Sequence, residues 1–399
     1  MKILLYLPTP GGLTGAPRRL LTLANTLRDR AFDTCVAGDS DTELLTRARE
    51  LGFDTLPIAP IGVLKLRGGA LFGGGVFFRL RTGLALLRQN LRFRSQVRAA
   101  GADAVWIRAS KGIAFAGLGA LLSRRPLIWD VDYELPSRGM VRWLHRFGLW
   151  ASHAVVFQYR AAPDSIFGKE LADCYRDKFK AIIPGIDLSA LESSRAERQI
   201  RRQVNDDPFV ILQVGTLCDR KNQLLLLDAL QRLDLAQMPR KVRVLLAGGL
   251  SDQAYVDRVE RAIADRGLES VVELLGWRDD VHALMTQADL LVMPSKDEGV
   301  PNTVQEAMYI GLPVMVSDRG GMPEIVRHGG TGWVLPVDDP DYWAQRVSAC
   351  IKDNAGCEEI GREASSYAEE HFGTDEWGRQ YACLVREAAG IEALDEVVS

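Results

Sequence analysis

The strongest constraint on the fold is a regular alternation of short apolar runs with longer amphipathic segments, which occurs in two series along the chain. The first series begins at the apolar run 2–7, and the second begins with FVILQVG at Phe209. Strands that alternate with helices in this way are typical of parallel sheets covered by helices on both faces. Ligands bind such sheets beyond the carboxyl ends of the strands. The sequence therefore predicts an α/β protein with two doubly wound domains and with functional residues in the loops after the strands.

The predicted elements have ordinary lengths for such domains. In the first series the predicted strands are 2–7, 34–37, 104–107, 127–131, 154–157 and 181–183, and the predicted helices include 18–30 and 42–51. In the second series the predicted strands lie in FVILQVG, KVRVLLAGG, VVELLGW, ADLLVMPS and LPVMVS, with helices after Asn222 and over 251–266. A chain of 399 residues is long enough for two such domains, each with its own core.

Composition favours a reducing cytoplasm and argues against a membrane span. The six cysteines are scattered and form no C-x-x-C pair, so neither a disulfide framework nor a zinc site is expected. The opening MKILLYLPTP is broken by Pro8 and Pro10, which indicates a first buried strand and not a signal peptide. No uncharged apolar run approaches the roughly 18 residues that a membrane-spanning helix requires. We expect a cytoplasmic protein.

Charge is distributed unevenly along the chain. Residues 1–190 contain 27 lysine and arginine residues against 16 acidic ones, a net charge of +11, although the whole chain has a net charge of −3. The stretch 64–98 has no acidic residue and mixes arginine with leucine and phenylalanine beside RGGALFGGGVFF. This mixture is typical of an element that lies on an anionic membrane surface, although a solvated basic helix face is an alternative. We predict peripheral contact with the inner face of the cytoplasmic membrane and no nucleic-acid partner, since no recognition motif accompanies the charge.

Two carboxylates of the segment 290–326, those of Glu298 and Glu306, are separated by seven residues. The segment has the pattern of a strand, a polar loop, a short helix, a second strand and a glycine pair. Glu298 lies in the loop, and Glu306 lies in a helix predicted to begin at Asn302. Asn302 and Gln305 have the spacing of a capping box. The start of this helix is suited to phosphate because its first backbone N–H groups have no partners within the helix.

Two basic residues stand in the loop VGTLCDRKN, which follows the predicted strand FVILQVG. Arg220 and Lys221 precede a helix there, either as ordinary surface cations or as part of an anion site. The glycine-rich loop 11–15 of the first domain does not match G-x-G-x-x-G, which argues against dinucleotide binding. No cluster of metal ligands is apparent in the sequence, so we predict no metal.

These motifs together resemble the donor-binding signature of the retaining glycosyltransferases of family 4, which have the GT-B fold. In that family the signature reads P-S-x-x-E-G-x-P-N or E-G-F-G, then E-A-M-A-x-G-x-P-V, then G-G-x-x-E. This chain has PSKDEGVPN, EAMYIGLPV and GGMPE in the same order, and its PGID at 184–187 is similar to the family's interdomain linker. The resemblance covers most of the chain and is strongest over 210–336. It implies two Rossmann-like domains that face each other across a cleft.

The same resemblance implies a domain organisation. Residues 1–185 correspond to an N-terminal acceptor-binding domain, and residues 186–375 to a C-terminal domain that binds the nucleotide sugar. Residues 376–399 correspond to a C-terminal helix that crosses back to the N-terminal domain.

The resemblance also implies roles for single residues. Arg220 and Lys221 bind the donor diphosphate and stabilise the charge that develops on it. Glu298 contacts the transferred sugar, and Glu306 accepts hydrogen bonds from the ribose hydroxyls. Trp277 lies where the base is held, although a buried tryptophan at a strand end explains it equally well. The residues implied in donor binding are Gly12, Gly15, Gly215, Trp277, Arg278, Gly299, Val300, Pro301, Asn302, Thr303 and Glu306.

One residue departs from the family pattern. Many members carry a histidine at a strand end in the first domain, in a pattern like V-Y-D-x-H-E, whereas this chain reads LIWDVDYELP with Asp132 in that position. We expect Asp132 to accept a hydrogen bond from the donor sugar or to shape the acceptor pocket. In a front-face retaining mechanism the leaving phosphate serves as the base, so loss of the histidine does not imply loss of activity.

The predicted function is transfer of a sugar from a nucleotide diphosphate sugar to a saccharide or lipid-linked acceptor, with retention of configuration. We expect a metal-independent hexosyltransferase with a UDP- or GDP-sugar as substrate, no cofactor, and a role in envelope polysaccharide or lipopolysaccharide synthesis. A nucleotide-sugar 2-epimerase and a non-catalytic nucleotide-sugar-binding protein are the alternatives. The epimerase is disfavoured because no carboxylates and histidines for its acid–base chemistry can be placed. The binding protein is disfavoured because the charged site residues are all present.

Overall fold

The chain divides into two compact units. Unit 1 comprises Met1–Gly185 and Thr374–Ser399, and unit 2 comprises Ile186–Gly373. Unit 1 is therefore built from both ends of the chain and unit 2 from its middle. The structure, a computed structural model, describes residues 1–8, 15–40, 42–65, 75–131, 137, 139–201, 208–250 and 252–391.

Unit 1 is organised around a parallel sheet. Its strands are β1 (Lys2–Leu7), β2 (Asp33–Gly38), β3 (Asp54–Pro57), β4 (Ala104–Arg108), β5 (Leu127–Val131), β6 (Ala154–Phe157) and β7 (Phe179–Ala181). Among the residues that the structure describes, these seven strands lie in the order β3-β2-β1-β4-β5-β6-β7, and neighbouring strands pair in parallel. Strands β4, β5 and β6 are fully buried, which explains why they are continuous apolar runs in the sequence.

Helices cover both faces of this sheet. The side chains of β1 point alternately into two cores. Its odd-numbered residues pack with the helices Gly15–Arg28 and Glu43–Glu50. Leu4 and Tyr6 pack with the helices Val76–Ala99, Leu118–Ser123 and Gly139–Ala151. A π-helical turn at Ile113–Gly117 joins the fourth helix to the fifth. The helices are α1 (Gly15–Arg28), α2 (Glu43–Glu50), α3 (Val76–Ala99), α4 (Ala109–Gly112), α5 (Leu118–Ser123), α6 (Gly139–Ala151), α7 (Ala162–Phe167) and α8 (Lys169–Asp173), with 3-10 turns at Gly62–Lys65 and Arg176–Lys178.

Unit 2 contains a second parallel sheet. Its strands are β8 (Phe209–Val214), β9 (Val242–Ala247), β10 (Val272–Gly276), β11 (Leu290–Met293), β12 (Val314–Ser317) and β13 (Trp333–Leu335). Within the described part of the chain these six strands lie in the order β10-β9-β8-β11-β12-β13. The chain first builds outward from β8 to one edge and then returns to the other side of β8 with β11. The carboxyl ends of β8 and β11 therefore mark the point where the strand order reverses, which is where open α/β sheets bind ligands.

A buried arginine, Arg198, connects one helix of unit 2 to the end of a second helix and to a side chain of a third. Arg198 donates from Nε to Gly311 O at 3.2 Å, and its Nη2 lies 2.9 Å from Glu358 Oε1. Gly311 has a φ of +83° and ends the helix before it, as glycine often does. The helices are α9 (Glu192–Arg201), α10 (Gln223–Gln231), α11 (Gln253–Asp265), α12 (Val281–Gln287), α13 (Asn302–Ile310), α14 (Met322–Ile325), α15 (Pro340–Lys352) and α16 (Asn354–His371), with 3-10 turns at Ser189–Leu191, Asp219–Lys221 and Leu235–Gln237.

The last helix, α17 (Thr374–Ala388), completes the core of unit 1. Trp377 and Tyr381 are buried among the side chains of α1 and α2. Tyr381 Oη donates to Asp130 Oδ2 at 2.6 Å, and Arg108 Nη1 lies 3.7 Å from Asp130 Oδ1. Burial, followed by the charge of Asp130, raises the pKa of Tyr381 well above its ordinary value, so the hydroxyl keeps its proton. The buried Asp130 carboxylate therefore has partners on both β4 and α17.

Most predicted strands are confirmed, and three (β1, β5 and β6) have the predicted bounds. Strand β7 begins two residues earlier than predicted, and the short strands β3 and β13 were not predicted. Strands of three or four residues carry too little periodicity to be recognised alone. No helix in the described ranges is long and apolar enough to cross a membrane.

A buried histidine on α6 makes unit 1 sensitive to acid. His145 Nε2 lies 2.8 Å from Ser110 Oγ, and its ring packs against Trp129 and Phe167 with centroid distances of 5.9 and 5.1 Å. Burial lowers the pKa of His145 to about 4. The imidazole is therefore neutral at pH 7 in the folded chain.

We expect His145 to cause part of any acid destabilisation. An unfolded histidine has a pKa of about 6.5, so below that pH the unfolded chain binds a proton that the folded chain binds only near pH 4. Stability therefore falls as pH falls through this window, by about 3 kcal/mol at most. His145→Gln removes the titration, and its apparent Tm should fall less between pH 7 and pH 4.5 than that of the wild type. Equal falls in both proteins would contradict this assignment.

Candidate functional site

The candidate site lies in two loops at the point where the strand order of unit 2 reverses. Loop 215–222 follows β8, and loop 294–301 follows β11. These two strands pair directly and in parallel, with Leu290 opposite Ile211. The two loops therefore emerge side by side at the carboxyl end of the sheet. Residues that the sequence placed in separate motifs therefore meet.

Hydrogen bonds join the two loops. Lys296 N donates to Arg220 O at 2.8 Å, and Asn222 Nδ2 donates to Pro294 O at 3.1 Å. The Lys296 amine also lies 2.8 Å from Asp219 Oδ2. Asn222 has a φ of +55°, a left-handed conformation that asparagine tolerates better than most residues. These contacts fix the main chain of one loop against that of the other.

The charged groups of the two loops converge on Glu298. Its Oε1 lies 2.5 Å from Arg220 Nη1 and 2.5 Å from Lys221 Nζ. The side chains of Glu298 and Lys221 are 11% and 13% exposed, and that of Arg220 is 39% exposed. Arg220 Nη1 also donates to Asp297 O at 3.1 Å. Because Glu298 and Lys221 are shielded from water, these charges interact more strongly than those of a surface pair.

The carboxyl group next to Glu298 responds to the same environment. Burial raises the pKa of Asp297, the charge of Glu298 adds to the rise, and Arg220 opposes it. Glu298 is the carboxylate that lies within 2.5 Å of both cations.

Gly215 makes room for the side chain of Lys221. Its φ is +151°, and a Cβ at this position would lie 2.9 Å from Lys221 Cε and 3.1 Å from Lys221 Cδ. Gly215 N donates to Ala247 O at 2.8 Å, which holds the start of the loop against β9. The positive φ favours glycine here, and a larger residue would also require the end of the Lys221 side chain to move. The predicted contact of Gly215 with a donor remains a prediction.

The glycine pair after β12 supports the loop that carries Glu298. Gly320 has a φ of +63°, and a Cβ there would overlap the carbonyl oxygen of Glu298. Gly321 N donates to Glu298 O and to Gly299 O, each at 3.1 Å. The main chain at Glu298 is therefore fixed from β12 as well as from β8. In the sequence this glycine pair was only part of a motif, and its contact with the main chain of Glu298 was not predicted.

Helix α13 begins directly after this loop. Pro301 occupies the N-cap position and makes no side-chain capping hydrogen bond, so the capping box predicted with Asn302 as its first residue is wrong. The extended main chain of Pro301 shifts Asn302 into the first helical position, where its side chain no longer has N-cap geometry. Val304 N makes the first helical bond, to Pro301 O at 3.1 Å. The amides of Asn302 and Thr303 therefore precede the helical bonds.

The other predicted donor-binding residues of this segment have different environments. Val300 is buried, whereas Gly299 is half-buried in the loop. Glu306 lies on α13 with its Oε2 3.4 Å from His282 Nε2 on α12. Sequence reasoning missed His282, because the contact depends on how α12 and α13 pack and no spacing in the sequence encodes it.

Trp277 and Arg278 follow β10 at the edge of the sheet. The Trp277 side chain is 64% exposed, so the alternative of a buried tryptophan at the strand end is wrong. Its Nε1 donates to Asp279 Oδ1 at 3.0 Å, and Arg278 pairs with Asp280 at 2.5 Å. The exposed indole face therefore lies at the carboxyl end of the sheet, as the two site loops do. Strand β9 separates β10 from β8.

The predicted site residues of unit 1 are less well defined. Gly15 is the first residue of α1, and among the described residues no atom outside its own helix and its chain neighbours lies within 4 Å of a Cβ built there. Gly12 and Asp132 lie outside the described residues, and their roles stay predictions. In the part of the chain that the structure covers, no group of three or more His, Cys, Asp or Glu side chains could hold a metal ion.

Comparison with known proteins supports the resemblance over the second half of the chain. Residues 194–368 match the family model described as "Glycosyl transferases group 1". The putative colanic acid biosynthesis glycosyltransferase WcaL of Escherichia coli (strain K12) is 26% identical over 222 residues, 53% of this chain and 52% of WcaL. A UDP-Gal:alpha-D-GlcNAc-diphosphoundecaprenol alpha-1,3-galactosyltransferase of Escherichia coli is 28% identical over 191 residues, 46% of this chain and 48% of that protein. The chain thus matches about half the length of these curated relatives.

Solved structures extend the likeness to the whole fold. HepE of Anabaena, crystallised with UDP, has a TM-score of 0.77 and 22% identity, and the match covers 97% of this chain and 100% of HepE. HepE has also been crystallised with UDP-glucose. This likeness and the two parallel sheets confirm the predicted GT-B fold with two Rossmann-like domains. Residues 194–368 are similar to the group 1 glycosyltransferases, and membership of family 4 and a retaining outcome remain predictions.

We expect Gly320→Ala to displace the Glu298 loop. The new methyl group would overlap the Glu298 carbonyl, and the positive φ adds strain of about 1–3 kcal/mol. The apparent Tm should fall by several degrees. Gly330→Ala is the matched control, because the nearest atom to its Cβ, Arg327 Cβ, lies at an ordinary 3.6 Å. Similar Tm values for the two variants would show that Gly320 does not support the loop.

Proposed function

We propose that this chain is a retaining glycosyltransferase of family 4 that transfers a sugar from a nucleotide diphosphate sugar without a metal ion. The observation that carries the proposal is the convergence of Arg220, Lys221 and Glu298 at the strand reversal of unit 2. Two cations suit a diphosphate, and a carboxylate suits the hydroxyl groups of a sugar. The family match over residues 194–368 includes all three residues.

The two cations supply what cleavage of the donor requires. Breaking the bond between the sugar C1 and the phosphate oxygen leaves negative charge on the diphosphate. Cations that are already fixed stabilise this charge as it develops, with little reorganisation. Arg220 offers a planar fork of donors and Lys221 a compact charge. Together they take the place that a divalent metal has in other transferases.

Retention follows when the acceptor attacks the face that the leaving group occupies. The acceptor oxygen forms its bond to C1 as the bond from C1 to the diphosphate breaks, and the acceptor proton passes to a phosphate oxygen. This route needs no basic side chain. Asp132, at the position of the family histidine, is assigned to hydrogen bonding with the donor sugar or to the acceptor pocket.

The remaining residues of unit 2 suit the other parts of the donor. Glu306 is assigned to the ribose hydroxyls, for which a partly buried carboxylate is a good acceptor. The exposed ring of Trp277, with Arg278 beside it, is assigned to the base, which stacks well on an indole face. The loop and first helical turn over 299–303 are assigned to the sugar and phosphate oxygens.

The choice of donor and acceptor draws on the relatives. HepE has been crystallised with UDP and with UDP-glucose, which favours a UDP-sugar, and a GDP-sugar is the alternative. WcaL is named for colanic acid biosynthesis, and the galactosyltransferase is named for a diphosphoundecaprenol acceptor. We therefore propose a lipid-linked or envelope saccharide as acceptor. An epimerase or a non-catalytic binding protein would show no acceptor-dependent release of nucleoside diphosphate.

The double variant Arg220→Ala/Lys221→Ala tests the diphosphate assignment. Loss of preorganised charge at the leaving group should lower turnover on the order of a hundredfold or more at saturating donor. Release of nucleoside diphosphate would be measured, with circular dichroism to check the fold. Arg319→Ala is the matched control, since Arg319 lies just beyond β12 and pairs with Asp338 at 3.3 Å. If the double variant turns over like the control, the assignment is wrong.

We also infer that unit 1 binds an anionic membrane surface through α3. Its exposed apolar residues recur at intervals of three and four, which places them on one face of the helix. The exposure reaches 89% at Phe77, while Phe93 and Val97 face the core. Arginines 81, 88 and 92 are exposed and flank the apolar face, where their long side chains can reach lipid phosphates. The exposed apolar residues of α3 are Phe77, Leu80, Leu84, Leu87 and Leu91.

Helix α6 adds a second apolar face to the same side of unit 1. Met140, Trp143 and Trp150 are exposed at intervals of three and seven residues. Helices α3 and α6 both pack against the π-helical turn 113–117, so they lie on one side of the sheet. Neither helix contains an acidic residue. Tryptophan beside arginine is suited to the interface between water and lipid.

Charge reversal tests the membrane assignment. Arg81→Glu, Arg88→Glu and Arg92→Glu together should release the protein from anionic liposomes, because each basic residue contributes about 1 kcal/mol at such a surface. The matched control reverses Arg18, Arg47 and Arg49, which lie on α1 and α2. Flotation with phosphatidylglycerol vesicles would separate the two variants. A wild type that does not float, with a triple variant that loses transfer to a water-soluble acceptor, would show that these arginines bind an acidic acceptor.

A further inference from the structure

The carboxylate of Glu298 takes the hydrogen bonds that a diphosphate would need. One oxygen, Oε1, lies 2.5 Å from both Arg220 Nη1 and Lys221 Nζ. The same two side chains are the cations of the proposed diphosphate site. A diphosphate and the Glu298 carboxylate therefore compete for the same donors, and like charge prevents them from sharing the site closely.

We propose that Glu298 is an exchangeable counter-ion that makes ligand affinity depend on the sugar as well as on the diphosphate. The inference rests on the proposed function, since it takes Arg220 and Lys221 as the diphosphate-binding groups. A diphosphate that binds them displaces a carboxylate that is 11% exposed and has few water molecules to replace its lost partners. Such a displacement is costly unless the carboxylate gains new hydrogen-bond donors.

The sugar of the donor can supply these hydrogen-bond donors. Each hydroxyl of a sugar can donate one hydrogen bond to a carboxylate. An intact nucleotide sugar therefore compensates for the displacement of Glu298, whereas a nucleoside diphosphate offers no sugar hydroxyls next to its terminal phosphate. The expected consequence is a preference for the substrate over the released diphosphate, which favours product release.

The surrounding structure allows this exchange to occur in the side chain alone. The main chain at Glu298 is held by Gly321 N, at 3.1 Å, and by the close approach of Gly320. The neighbouring loop is held through Lys296 N and Arg220 O at 2.8 Å. A change of rotamer moves the Glu298 carboxylate, while both loops keep their positions.

Inorganic pyrophosphate tests the competition without any sugar. Glu298→Gln keeps the length and the oxygen of the side chain but removes its charge, and should bind pyrophosphate about tenfold tighter than the wild type in isothermal titration, about 1.4 kcal/mol. Glu298→Ala should show the same gain. Glu273→Gln removes an equal charge elsewhere in unit 2, where Glu273 pairs with Arg243 at 2.5 Å, so its affinity should stay within twofold of wild type. No gain in either Glu298 variant would overturn the proposal.

The double variant Arg220→Ala/Lys221→Ala distinguishes failure of this inference from failure of the proposed function. If it binds pyrophosphate like the wild type, the diphosphate assignment itself is wrong. If it loses pyrophosphate while the Glu298 variants show no gain, the assignment holds and Glu298 is not a competing counter-ion.

Sugar dependence is tested by comparing ligand pairs. Dissociation constants would be measured for UDP against UDP-glucose and for GDP against GDP-mannose. In at least one pair the wild type should prefer the sugar-bearing ligand, and Glu298→Gln should reduce that preference about tenfold. The same preference in both proteins, or no preference in the wild type, would show that affinity does not depend on an exchange between Glu298 and the sugar.

Discussion

The candidate site depends on one electrostatic interaction, the contact of the Glu298 carboxylate with two cations at the strand reversal of unit 2. The contact requires that the loops after β8 and β11 emerge side by side, which follows from the order of the strands. It also requires small residues behind it. Gly215 gives space to Lys221, and Gly320 gives space to the carbonyl of Glu298. Main-chain hydrogen bonds between the loops then hold the charged groups at short range.

The sequence predicted the elements of this site better than their contacts. Arg220 and Glu298 were each placed in a loop after a strand, and parallel strands bring such loops to one edge. The partner of Glu306, the support from Gly320 and the N-cap at Pro301 were missed. Each depends on which elements become neighbours or on a shift of one residue at a helix start. Periodicity does not encode either property. The strands β3 and β13 were missed for a different reason, because three or four residues carry too little periodicity to be recognised.

Helix α3 shows a related limit of sequence patterns. It is apolar on two faces, because Phe93 and Val97 pack into unit 1 while Phe77 and Leu84 face outward. Composition revealed the mixture of arginine and apolar residues over 64–98, but only the packing of the helix shows which residues remain exposed. The exposed tryptophans of α6 lie on the same side, and sequence reasoning did not connect the two helices. The structure therefore identifies an exposed surface formed by α3 and α6, whereas the sequence identified only the segment 64–98.

The position of α17 has a consequence for protein synthesis. Unit 2 is made from one continuous stretch, so all of it has left the ribosome before unit 1 is complete. Before α17 is translated, the nascent unit 1 lacks Trp377 and Tyr381, and the buried Asp130 lacks its tyrosine partner. Domains of large proteins usually fold in the order of their synthesis. In this chain the second unit can complete its core before the first, because the first requires α17, which follows the second unit in the sequence.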